Sequence, residues 1–380
     1  MIMKNKIILF TFLAIGLMLA CKKMEVEEPE NYSSTPVLPA TPYSYPNSVN
    51  NHVATLGRVL FYDKNLSLNN SISCASCHQQ AKAFCDNQQF STGLEDLKTQ
   101  RNSPSIFAKQ GRMFWDGRAG GINSLVLRPI KNHIEMKFED MNKLAAKLSK
   151  LPYYTDLFTN AYGSADVDSM KIQDALGSFI ANFTFSNNKF SQSQFNPQAL
   201  NASENLGKAV FFGKGKCSSC HHLTGPANGY GFTDDAFNIG LDVTYTDKGV
   251  GGISNNSMDD GKFMVPTLLN VEFTAPYMHD GRFNTLEDVV EHYNSGVKNH
   301  QNLDFSLRET GPLANMTQQQ LLLQFDTDHD GVISETEIGS LPAQKLNLSL
   351  AEKKNLVDFL KTLSDGSILT DKRFKDPFKK

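Results

Sequence analysis

The chain has one tryptophan in 380 residues and no surplus of positive charge. Its 37 Lys and Arg stand against 40 Asp and Glu, a formal charge of −3, so no basic field exists to collect phosphates and nucleic acid is set aside as a partner. Histidine is missing altogether between His78 and His133. Of six cysteines, four fall in two short motifs of one pattern and Cys21 follows an N-terminal apolar run, which leaves Cys85 single. An intramolecular disulfide is therefore not expected, and Cys85 is read as a buried small hydrophobe rather than a reactive thiol.

The apolar run itself, Ile7 to Ala20, is too short to span a bilayer comfortably. Lys4 and Lys6 before it and small residues at its end give it the order of an export signal. Met18-Leu19-Ala20-Cys21 resembles a bacterial lipobox, apart from Met in place of Leu at its first position. The expectation is a signal peptide over residues 1–20, cleavage before Cys21, lipid on the Cys21 thiol and an exported, periplasm-facing protein. Residues 21–50 are rich in Glu, Pro, Ser, Thr and Asn with few aliphatics, and are expected to form a flexible tether.

The motifs that organise the rest are Cys74-Ala75-Ser76-Cys77-His78 and Cys217-Ser218-Ser219-Cys220-His221. Each is a C-x-x-C-H pattern, in which two thiols add across the vinyl groups of a haem and the following histidine binds its iron. Two covalent c-type haems are implied. A zinc site made from the same four cysteines is the alternative, but it needs neither the histidine after each pair nor export.

The two halves repeat one another. Leu206 to Phe212 precedes the second motif as Leu56 to Tyr62 precedes the first, and Phe114-Trp115-Asp116-Gly117-Arg118 is matched by Met278-His279-Asp280-Gly281-Arg282. The fold expected is mainly α, with two cytochrome c-like haem domains, residues 51–195 and 196–380. Eleven residues after Arg282 comes Tyr293, on a helical face with Leu286, Val289 and Val290; eleven residues after Arg118 comes Pro129. If that helix covers the open face of each haem, one iron meets a phenol and the other a side chain that cannot bind. Spacing alone favours an ordinary core tyrosine at 293.

With these motifs and the repeat together, the chain resembles the bacterial di-haem cytochrome c peroxidase family, in its MauG-like branch. The resemblance covers about residues 54–303 and 346–364. It is carried by Arg101-Asn102-Ser103-Pro104, Phe114 to Arg118, Pro129-Ile130, Glu135-Met136 and Ala275 to Gly281. It implies His78 and His221 as proximal ligands, Glu135 as distal acid and base, and Trp115 as the residue between the haems. Asn102, Thr274 and Pro276 match positions that hold a calcium ion between the domains, partly through backbone carbonyls. Tyr293 matches a position that is methionine in ordinary members and tyrosine in the MauG-like branch; Met264 and Met278 are the alternative ligands. Two departures stand out: Leu94 falls where ordinary members carry a distal histidine, and Leu125 replaces a pocket glutamine. The first haem is therefore expected to be five-coordinate. His133 is a weaker candidate for the acid and base role, and His279 takes the place of Trp115 in the repeat.

An insert of about residues 304–345 contains Asp326-Thr327-Asp328-His329-Asp330-Gly331-Val332-Ile333-Ser334-Glu335-Thr336-Glu337. Asp326, Asp328, Asp330, the Val332 carbonyl, Ser334 and Glu337 occupy the ligand positions of an EF-hand calcium loop, with Gly331 at its sharp turn. After it, Ser349 and Glu352 form a capping box for a closing helix that Gly366 is expected to end.

The function expected is reduction of hydrogen peroxide to water at the His78 haem, with electrons passed through the His221 haem from a cytochrome c or copper protein. A MauG-like oxidase acting on a protein substrate, and a non-catalytic di-haem electron carrier, are the other readings. A homodimer is left open.

Overall fold

A computed structural model describes residues 32–107, 111–183, 187–223, 235–309, 320, 323 and 341–379. Cys21, the export signal and the EF-hand-like loop from Asp326 to Glu337 lie outside the described residues. The fold is mainly helical, with one two-stranded antiparallel ribbon, β1 (Ala236–Phe237) against β2 (Phe263–Met264). No described helix is long and apolar enough to cross a membrane.

Helix α1 (Asn51–Tyr62) begins where the Asn50 side chain accepts from the His52 N–H, and every residue from Val53 onward is buried. It is covered by α2 (Pro152–Tyr162) and crosses α3 (Ser169–Ile180), which Asp168 caps through the Lys171 N–H. The crossing is close because Gly57 has no side chain: a Cβ there would lie 1.9 Å from the Ala175 carbonyl oxygen and 2.8 Å from the Phe179 Cβ. In the C-terminal half, α4 (Ala202–Phe212) crosses the closing helix in the same way. A Cβ on Gly207 would lie 1.8 Å from the Asn355 carbonyl oxygen and 2.8 Å from the Phe359 Cβ.

Capping boxes start both members of this second pair, Asn201 with Glu204 on α4 and Ser349 with Glu352 on the closing helix. The closing helix does not run to Gly366. It stops at Lys361, with Thr362 as its cap, and Gly366 opens a separate 3₁₀ turn, Gly366–Leu369.

The expected tether over residues 21–50 does not hold for its described part. From Tyr32 the backbone is laid along the C-terminal tail: Ser33 N–H donates to the Phe378 carbonyl and Val37 N–H to the Pro377 carbonyl, both at 2.7 Å. Tyr45 is buried, its ring 6.5 Å from that of Phe374, and its hydroxyl donates to the Arg373 carbonyl. The tail itself packs on the N-terminal half, with Phe374 5.1 Å from Phe183 and 6.3 Å from Phe84. Burial of these aromatic rings outweighs the polar composition that made the segment look free.

Candidate di-haem centre

The first motif forms a single helical turn, Cys74–Cys77, in which Ser73 and Ser76 cap one another reciprocally. His78 follows at once, and its Nδ1 lies 2.8 Å from the Phe84 carbonyl. A carbonyl can only accept, so Nδ1 carries the proton and Nε2 presents its lone pair. Ser103 Oγ donates to the Cys77 carbonyl and stands 3.4 Å from the same Nδ1, which explains why a serine follows Asn102. Burial depresses the basicity of His78 and keeps the ring neutral, as a metal ligand must be.

A cavity of about 320 Å³ is lined by Phe114, Arg118, Pro129, His133 and Glu135 among others. Burial pushes the Glu135 carboxyl up, opposed by the nearby Arg118 guanidinium. The charge of the carboxylate adds to the burial that raises the Cys74 and Cys77 thiols. Arg118 is held over the Phe114 ring at 3.8 Å and bonded to Asp116 at 2.6 Å. Leu94 is buried under this region, its N–H donating to the Ile134 carbonyl at 2.8 Å, and a Cβ on Gly93 would meet that carbonyl oxygen at 2.1 Å. The loop that lacks the histidine is thus pinned against the backbone of Glu135. Pro129 opens onto the cavity and offers no ligating atom.

The second motif is a 3₁₀ turn, Cys217–Ser219, introduced by Lys216 in left-handed backbone at φ 53°. Cys217, Cys220, His221 and Tyr293 all line a larger cavity of about 730 Å³, together with Met264 and Met278. Helix α5 (Leu286–Glu291) leads into a π-helical turn, His292–Gly296, so Tyr293 is carried on a wider turn than its α-helical spacing implied. Burial raises the Tyr293 phenol well above its ordinary value, and the Cys220 and Cys217 thiols add to the shift. His221 is pushed down to about 4 by burial, and its buried Nδ1 is without a partner among the described residues.

The closing helix, α6 (Leu350–Lys361), supplies Leu356 and Leu360 to the same cavity. Trp115 lines it too, its indole N–H donating to the Asn102 carbonyl at 2.9 Å and its own carbonyl accepting from Met264 N–H at 2.8 Å. Asn102, Thr274 and Pro276 share that wall. The Asn102 Nδ2 donates to the Gln88 carbonyl, which leaves its Oδ1 as the acceptor. Cys74, Cys77 and His78 line neither cavity.

Several contacts here could not be read from the sequence. Arg101 bonds Asp116 through Nη1 at 2.5 Å and Asp247 through Nε and Nη2, both at 2.7 Å. Asn87 donates to the carbonyls of Phe273 and Ala275, at 2.9 and 2.6 Å. His279 stacks on Phe263 with ring centres 3.7 Å apart, and its carbonyl accepts from the Asn102 N–H. The Arg101-Asn102 run and the place of His279 in the repeat are visible in the sequence; Asn87 and Asp247 carry no such signal.

The residues present fit covalent haem and not zinc. Burial raises the thiols of Cys74, Cys77 and Cys217 to about 12 and that of Cys220 to about 11. Among the described residues no group of three or more His, Cys, Asp or Glu could hold a metal ion, so the four cysteines do not converge. Cys85 is buried as expected, its thiol raised to about 11 by burial and set 2.9 Å from the Lys82 carbonyl.

A mainly helical scaffold with two C-x-x-C-H sites defines a di-haem c-type cytochrome. The chain belongs to the di-haem cytochrome c peroxidase family, an oxidoreductase family that includes MauG. Residues 51–198 match the family described as "Di-haem cytochrome c peroxidase". The chain is 30% identical over 275 residues to the methylamine utilization protein MauG of Methylophilus methylotrophus, covering 71% of this chain and 80% of that one. It is 33% identical over 261 residues to the cytochrome c551 peroxidase of Nitrosomonas europaea, covering 67% and 76%. Among solved structures, a MauG-like protein associated with microbial copper homeostasis superposes with a TM-score of 0.70 at 28% identity, over 93% of this chain and 99% of that one.

Proposed function

We propose that the protein is a di-haem peroxidase that reduces hydrogen peroxide to water at the His78 haem, drawing electrons through the His221 haem from a cytochrome c or copper protein. The observation that carries this reading is the grouping of Glu135, Arg118 and the non-ligating Pro129 around one cavity, with the Glu135 charge felt at the Cys74 and Cys77 thiols. When bound, haem supplies an iron site that accepts peroxide and the electrons that cleave it.

The chain's own part is proton handling and positioning. Glu135 takes the proton from the inner peroxide oxygen and returns it to the outer one as it leaves. Its raised affinity for protons suits that exchange, and Arg118 keeps the carboxylate accessible. The Phe84 carbonyl fixes the His78 tautomer throughout. Trp115, bonded to the Asn102 carbonyl and accepting from Met264, is the residue read as lying between the two haems.

The test is ferric spin state combined with turnover. One haem of the loaded protein is expected to be high-spin and five-coordinate, and Glu135→Gln is expected to lower peroxide turnover by about 10²- to 10⁴-fold. Two low-spin six-coordinate haems would instead establish an electron carrier.

A second reading, a MauG-like oxidase that draws electrons from a protein substrate, is favoured by Tyr293 facing the cavity of His221. A phenolate ligand would stabilise higher oxidation states of the second iron, where Met264 or Met278 would favour the reduced state. Covalent change in a partner protein after peroxide treatment separates the two.

The same proposal includes a calcium ion at Asn102, Thr274 and Pro276, a second in the loop from Asp326 to Glu337, and a lipid anchor at Cys21. The matching Gly57 and Gly207 crossings support an internal repeat and a division into haem domains over 51–195 and 196–380.

A further inference from the structure

Tyr293 rides on a turn whose next residue is tied down by a segment some fifty residues away. Asn294 is buried, with 8% of its surface exposed. Its carbonyl accepts from the Leu346 N–H at 3.0 Å and its Oδ1 from the Leu348 N–H at 2.8 Å. Its Nδ2 donates to Glu291 in the preceding turn at 3.1 Å. A π turn gives up the regular i to i−4 ladder, so partners from elsewhere must fix its geometry.

The same segment also holds the opposite side of the site. Gln344, 6% exposed, accepts from Lys216 Nζ at 2.7 Å and donates to the Ser306 carbonyl at 2.9 Å. Lys216 directly precedes Cys217 and so introduces the turn that ends in His221. Ala343 packs with Tyr293 around the apolar cluster of Val297, Leu303 and Leu307, while Leu346 and Leu348 face the cavity. The strap is fixed at both ends. Glu309 N–H donates to the Pro342 carbonyl, and the buried Arg308 donates to the carbonyls of Leu341 and Leu303. Beyond Leu348, Ser349 caps α6.

We propose that residues 343–348 form a strap that sets the distance between the Tyr293 hydroxyl and His221, with Asn294 and Gln344 as positioning residues for the two side chains that would hold the iron of the second haem. The proposal rests on the reading of Tyr293 as a ligand. A side chain that holds a metal tolerates misplacement of only about 0.5 Å. Loss of either tether therefore favours a second haem without its phenolate.

The test uses the full-length, haem-loaded protein and reads the second haem's reduction potential and its phenolate-to-iron charge-transfer band, with the high-spin signal of the first haem as internal control. Asn294→Ala and Gln344→Ala are expected to lose the band and raise the potential while the first-haem signal is retained. Gln344→Glu, which still accepts from Lys216 but loses the donor to the Ser306 carbonyl, is expected to restore the band in part. Wild-type band and potential in both alanine variants would overturn the proposal, as would equal loss of the signals from both haems. If Asn294→Ala does not fold, Gln344→Ala decides alone. Tyr293→Phe is the separate control: an unchanged second haem in that variant would remove the ligand reading itself.

Discussion

Gly207 approaches the backbone of Asn355 so closely that a Cβ on it would stand 1.8 Å from the carbonyl oxygen. Neither atom can move aside cheaply, since one belongs to the backbone of α6. Gly207→Ala is expected to force α4 and α6 apart and to destabilise the protein by about 1–3 kcal/mol, the usual range for overpacking. Gly57→Ala, with its 1.9 Å approach to the Ala175 carbonyl, is expected to behave alike. Denaturant unfolding of the two variants checks this.

With Glu135 in the proposed acid and base role, peroxide turnover is expected to depend on pH. Its folded pKa is raised by burial, so the active carboxylate is reached only at pH above the ordinary glutamate value. Turnover is expected to rise with pH through that elevated pKa. Arg118 acts the other way, and Arg118→Gln is expected to move the limb to still higher pH. Stability linked to Glu135 has the opposite slope: it is full below the unfolded pKa and is lost as pH rises through the folded one. A pH profile of kcat/KM for both proteins is the measurement, and identical limbs would count against the assignment.

Arg101 joins Asp116 to Asp247 across 131 residues of chain. Burial pushes both carboxyls up, but the bonds and charge of Arg101 hold them below the usual carboxylate range. This stabilisation is present above the unfolded aspartate pKa and is lost as pH falls through the depressed folded values. Arg101→Ala is expected to cost about 1.5–3 kcal/mol near neutral pH, the range for hydrogen bonds to charged groups, and less in acid. Urea unfolding at two pH values distinguishes this from a uniform loss.

Cys85 offers a check on the oxidation chemistry. Its thiol is buried and raised to about 11, so alkylating reagents and peroxide are expected to leave it unmodified in the native state. Mass spectrometry before and after unfolding reads the difference directly.

What the sequence determined by itself was the chemistry fixed over a few adjacent residues. Cys74 to His78 and Cys217 to His221 declare their haems because attachment needs only two thiols and an imidazole at short fixed spacing. The capping box of Ser349 and Glu352 is equally local, closing within three residues. The extended segment from Tyr32 to Asn50 was not legible, because its order comes from a tail more than three hundred residues away. Nor were Asp247, Asn87 and the strap at 343–348, whose partners are distant in the chain. Only the tertiary structure could place Glu135 with Arg118 in one cavity and Tyr293 with His221 in another. Burial and hydrogen bonding between remote segments set those surroundings, and no short-range pattern encodes them.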